Sequence, residues 1–83
     1  MITKWINEPI VVHINKDAVP AAFIWRRRLY RITDIINWWR VPGAWWNGED
    51  IKLFLQVAAV HKNLGYYELR SSDGEWFLHG VLD

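Results

Sequence analysis

The sequence contains no cysteine, which excludes a fold held by disulfides and a zinc site built on thiolates. No apolar run approaches the roughly 20 residues that a membrane-spanning helix needs, because charges interrupt every run early. Residues 1–8 lack the apolar segment and the small-residue cleavage site of a secretory signal. We therefore expect a cytoplasmic protein that makes no use of a membrane.

Sequence motifs for catalysis are also missing. Ser71 and Ser72 precede Asp73 and Gly74 in a typical turn sequence, and no Gly-x-Ser-x-Gly motif presents a nucleophile. There is no glycine-rich loop of the kind that binds phosphate. The histidines are far apart and lack the spacing of a zinc site: His13, His61 and His79. We expect neither enzymatic activity nor a bound cofactor or metal.

The chain instead has a high content of apolar and aromatic side chains. Its 83 residues are 52% hydrophobic and 16% aromatic, with seven tryptophans and a formal net charge of +1. Disordered chains combine low hydrophobicity with high net charge, which is the opposite composition. This length and composition fit one small globular domain over residues 1–83.

Alternation of side chains predicts an all-β fold. Apolar residues recur at every second position from Ile51 to Ala59 and from Ile10 to Ile14, which is typical of strands. Residues 21–33 read as a hairpin, and turn sequences lie at 63–65 and 71–74. We expect about six short antiparallel strands in a small barrel or a strongly coiled meander, since closure removes exposed edges. The predicted strands are residues 8–14, 21–26, 29–36, 51–60, 66–70 and 75–82.

The alternation fails between Asp34 and Trp39, where two apolar doublets occur. Ile35-Ile36 and Trp38-Trp39 are compatible with a bulge, a sheet corner or a single helical turn. Residues 41–44 and 47–50 read as a loop and a turn, and Trp45-Trp46 lies between them.

The aromatic residues fall into two groups. Phe23, Trp25, Tyr30 and Trp76 lie at inward positions of predicted strands and are expected in the core. The four indoles of the doublets are either all buried by a folded-over loop or partly exposed as a patch, because neighbours on a strand point to opposite faces. If exposed, they form with one arginine a surface for another protein or for a second copy of the chain. These candidate partner-binding residues are Trp38, Trp39, Arg40, Trp45 and Trp46.

Positive charge is concentrated between residues 26 and 40, with five arginines and one acid. Arginines beside aromatic rings are typical of single-strand nucleic-acid binders, in which phosphates contact the cations and bases stack on the rings. The alternative interpretation is a solvated hairpin corner with paired arginines. The candidate nucleic-acid-binding residues are Arg26, Arg27, Arg28 and Arg31.

Several short motifs follow one another along nearly the whole chain. They are Pro9-Ile10-Val11-Val12, Trp25 to Ile32, Trp45-Trp46, Tyr66 to Leu69 and Gly74 to Asp83. In this order and spacing they resemble the bacterial family DUF6504. The second half also resembles the C-terminal segment of ImuB-type proteins, which are inactive relatives of Y-family DNA polymerases in mutagenic repair. That resemblance implies an accessory, protein-contacting module linked to DNA repair and translesion synthesis.

Overall fold

Six antiparallel strands form a closed barrel in a computed structural model that describes residues 1–43, 46, 48 and 51–82. Each strand pairs with the next along the chain, and the last pairs with the first. None of the described residues belongs to a helix long and apolar enough to span a membrane. The strands are β1 (Ile2–Ile14), β2 (Pro20–Trp25), β3 (Arg28–Val41), β4 (Lys52–His61), β5 (Asn63–Ser72) and β6 (Glu75–Leu82).

The predicted all-β barrel is confirmed, but several strands begin or end at residues other than those predicted. β1 begins six residues earlier than predicted because residues 2–8 pair with β6, a contact far away in sequence. β5 begins at Asn63, directly after a tight turn at Lys62, where φ is 66°. Gly65 is therefore a strand residue and not part of a turn. A Cβ at Gly65 would lie 2.5 Å from the Tyr67 hydroxyl, so the glycine makes room for that ring.

The apolar doublets of β3 are accommodated by bulges, one of the three predicted solutions. The pairing with β4 shifts between Ile32 and Asp34 and again between Ile35 and Asn37. Each extra residue changes the side-chain phase without ending the strand. β3 consequently continues through Trp38 and Trp39 to Val41.

The core fills the inside of the barrel. Phe23, Val57, Leu69 and Leu78 are completely buried. The Phe23 ring stacks on Tyr30 with centroids 4.9 Å apart. Trp25 and Trp76 are half-buried and pack against this cluster, so the predicted inward positions are confirmed.

Replacing the central ring should destabilise the whole domain. We expect Phe23→Ala to lower the free energy of unfolding by about 3–5 kcal/mol, because it removes a fully buried ring and leaves a cavity. Leu29→Ala, at a half-exposed position of the same hairpin, is the control and should cost much less. Urea unfolding followed by tryptophan fluorescence measures both values. Equal effects of the two substitutions would contradict this account of the core.

Candidate functional site

A row of aromatic rings lies on the outside of the barrel. Phe54 alternates with the buried Leu55 and so faces outward, and Trp39 pairs with it from β3. These two rings stack with centroids 5.3 Å apart. Phe54 also contacts His79 at 5.5 Å, and His79 contacts Trp5 edge-on at 4.8 Å. We call these four rings and Phe77, which faces outward because it precedes the buried Leu78, the outer belt.

Glu68 lies beneath this belt and is the one buried charged side chain among the described residues, with 5% exposure. One carboxylate oxygen lies 2.7 Å from Nδ1 of His79, and the other accepts a hydrogen bond from the Gln56 amide at 3.1 Å. A buried carboxylate without such partners would be strongly destabilising. These contacts fix His79 in place between Trp5 and Phe54.

A bulge in β6 aims His79 at Glu68. Glu68 pairs with Gly80, while the next residue of β5 pairs with Leu78, which leaves His79 as the extra residue. Gly80 is required here because a Cβ would lie 2.5 Å from Cγ2 of Ile2 and 2.8 Å from the Lys4 carbonyl oxygen. The close approach of β1 thus brings Trp5 onto His79.

Arg70 continues the outer face beside the belt. It pairs with Phe54 on one side and Phe77 on the other, and its guanidinium lies 4.7 Å from the Phe77 ring centroid. Its Nε is buried without a hydrogen-bond partner. Among the described residues no carboxylate lies within ion-pair distance of it. A buried polar atom without a hydrogen-bond partner is rare in native proteins and calls for an explanation.

The residues predicted to bind a partner are only partly brought together. Trp38 and Trp46 are 57% and 70% exposed, whereas Trp39 is half-buried on Phe54. Trp38 pairs with Leu55 and therefore lies on the opposite face from Trp39, with the Arg40 guanidinium 5.7 Å from its ring. Trp45 lies outside the described residues, as does most of the turn predicted at 47–50.

The four arginines of the nucleic-acid hypothesis do not share one face. Arg26 forms an ion pair with Glu8 at 2.6 Å and stacks on Trp25 at 4.6 Å. Arg27 follows it at the hairpin tip, where both residues have positive φ. Arg28 and Arg31 are exposed but point to opposite faces of β3, because they lie an odd number of positions apart on an alternating strand.

Sequence reasoning missed most of the belt and the carboxylate beneath it. These residues come from four strands, and the pairings that bring them together join distant parts of the chain. The missed residues are Trp5, Phe54, Glu68, Phe77 and His79. No local sequence pattern indicates that His79 forms a bulge.

The described residues contain no group of three or more side chains able to hold a metal ion.

The ion pair between Arg26 and Glu8 at the hairpin tip should make stability depend on pH. The hydrogen bond from Arg26, then that from Trp25, lowers the pKa of Glu8 below its ordinary value of 4.5. The contact therefore contributes stability above that value and loses it as the pH falls through the lowered pKa. An NMR titration should place the Glu8 midpoint below 4.5, and Arg26→Gln should raise it. Arg27→Gln is the control and should leave the midpoint unchanged.

Comparison with known proteins identifies the family of the chain but no activity. No curated protein and no solved structure matches the sequence. A family model described as a domain of unknown function matches residues 1–83. The match spans every strand of the barrel and every residue of the outer belt, so the chain belongs to the DUF6504 family.

Proposed function

We propose that this chain is a non-enzymatic interaction module that binds another protein through its outer aromatic surface. That surface is centred on the outer belt. Trp38 and Arg40, on the opposite face of β3, and Trp46, in the β3–β4 connection, are further candidate contacts. The Trp45 side chain is a further candidate by its place in the sequence. Trp and Arg are among the side chains most enriched at binding hot spots.

One observation carries the proposal: the belt lies outside a barrel whose interior is already filled. Phe23, Leu69 and Leu78 are completely buried inside the barrel, so the outer rings are not needed to shield the core from solvent. Trp5 remains 62% exposed although it is held against His79. Large apolar groups fixed on a surface in this way are typical of interaction sites.

The class of partner is proposed from the resemblance to the C-terminal segment of ImuB-type proteins. We place the module in the cytoplasm, as an accessory to bacterial DNA repair and translesion synthesis. The partner is then a protein of the repair machinery, and a second copy of this chain is the other candidate.

Charged substitution of the exposed belt tryptophan tests the proposal. We expect Trp5→Glu to weaken binding of the native partner by about tenfold or more, because it places a charge in an aromatic contact. The melting temperature should change little, since Trp5 lies outside the core. Affinity capture from the native cell with quantitative mass spectrometry identifies the partner, and sedimentation detects a dimer.

Val19→Glu is the matched control, at an exposed apolar residue away from the belt. Proteins captured equally by wild type, Trp5→Glu and Val19→Glu would contradict the proposal.

A second candidate function is direct binding of single-stranded nucleic acid. Arg27, Arg28 and Arg31 favour it because they are exposed and have no ion-pair partner among the described residues. These arginines are spread over two faces and the tip of one hairpin, so they do not form a continuous track for phosphates. The barrel is therefore better suited to a protein contact than to nucleic acid.

The salt dependence of binding separates the two candidates. If nucleic acid binds here, Arg27→Gln, Arg28→Gln and Arg31→Gln should each remove one phosphate contact and reduce the slope of log K against log salt by about 0.7. Fluorescence anisotropy with a labelled single-stranded oligonucleotide measures the slope. Absence of binding at about 50 mM salt would exclude this function, since electrostatic binding is strong there.

A further inference from the structure

A groove opens at the seam where the barrel closes. The pairing of β1 with β6 ends at Ile10 and Trp76, although β1 continues to Ile14 and β6 begins one residue earlier, at Glu75. β1 turns away to pair with β2 from Val11 onward. The strands separate around a groove of about 440 Å³, which is lined by Pro9–Val12 and Gly74–Phe77.

The strand edge along this groove is unpaired. From Val11 to Ile14, β1 pairs with β2 on one side and with no other strand on the groove side, within the part of the chain that the structure describes. Unpaired backbone at a strand edge binds an additional extended segment through main-chain hydrogen bonds. The backbone geometry therefore selects an extended peptide over a helix.

The groove walls select an apolar side chain. Pro9, Val11 and Phe77 face outward, because they alternate with the inward-facing Ile10, Val12 and Trp76. Val11 is 58% exposed, which is a large fraction for a valine in the middle of a strand. A side chain of a bound segment would cover this surface.

Arg70 adds a preference for an acidic side chain to the groove's preference for an apolar one. Phe77 links the two features, because it is a lining residue of the groove and its ring lies 4.7 Å from the Arg70 guanidinium. Stacking on the ring orients a guanidinium, and a guanidinium without an acid matches a carboxylate in a two-pronged contact. A carboxylate from a bound segment would provide the acidic partner that Arg70 lacks within the described residues.

We propose that the seam groove binds an extended peptide segment of the partner protein, in which an apolar side chain stands next to an acidic one. The apolar side chain contacts Val11 and Phe77, and the acid pairs with Arg70. This inference rests on the proposed protein-binding function and names the chemistry that the partner must present.

Two acids near the groove favour a peptide over a nucleic acid. Glu75 lines the groove two residues before Phe77, and Asp73 lies in the adjoining turn. A single carboxylate meets less repulsion from these acids than a chain of phosphates, which would carry several negative charges past both.

Phage display of random seven-residue peptides on the immobilised full chain tests the inference. We expect enrichment of sequences with Asp or Glu beside an aliphatic residue. Synthetic peptides of the enriched sequence should bind at least about tenfold more weakly to Arg70→Gln and to Val11→Asp. Arg31→Gln and Val19→Asp are the matched controls, with the same changes outside the groove and its strand edge, and should bind as wild type does. Bound peptide should also slow amide hydrogen exchange in Val11–Ile14.

Three results would overturn the inference: no enrichment, enriched peptides without an acid, or equal binding to wild type and Arg70→Gln. Partner capture that depends on Trp5 would still support the proposed function in each case, so the two failures can be told apart. Binding of an oligonucleotide, but not of peptides, that is abolished in Arg70→Gln would assign Arg70 to nucleic acid instead. If Arg70→Gln lowers the melting temperature, Val11→Asp alone decides the result, because Val11 is exposed.

Discussion

The pairing of β1 with β6 is the contact on which the other features of this molecule depend. It closes the barrel and so divides every strand into an inward and an outward face. A barrel of six strands has a small interior, and Phe23, Leu69 and Leu78 already fill much of it. The rings that do not pack against this core, such as Trp39 and Phe54, lie outside. The same pairing brings Trp5 to His79 and ends at Trp76, where the seam groove begins.

The outer face is organised around a charge as well as around rings. Glu68 is buried on the side of the sheet away from the core, where His79 and Gln56 provide its hydrogen-bond partners. Breaking such a set of contacts by removing one member leaves a desolvated group, which is costly. The set therefore holds the belt rings in fixed positions. Rings that are already immobile lose little conformational freedom when a partner binds them.

The sequence determines the strands of this protein more clearly than it determines the site. The alternation from Ile51 to Ala59 and the turn sequence at 71–74 are local signals, and both predict the observed hairpins well. The start of β1 and the bulge at His79 depend on partners distant in the chain, so no window of sequence contains them. The exposed tryptophans near β3 were recognisable as doublets. Trp5, Arg70 and Glu68 were not, because what distinguishes them is their neighbours across strands.

The hairpin between β2 and β3 contains backbone strain that contacts with neighbouring side chains offset. Arg26 and Arg27 both have positive φ, as a two-residue turn matched to the strand twist requires, although glycine or asparagine usually occupies these positions. The strain at Arg26 is offset by its ion pair with Glu8 and its contact with the Trp25 ring. Glu8 also accepts a hydrogen bond from the Trp25 indole, which ties β1 to the hairpin. Arg26 is thus committed within the fold, whereas the Arg70 guanidinium is oriented by the Phe77 ring and has no acid within the described residues to neutralise it.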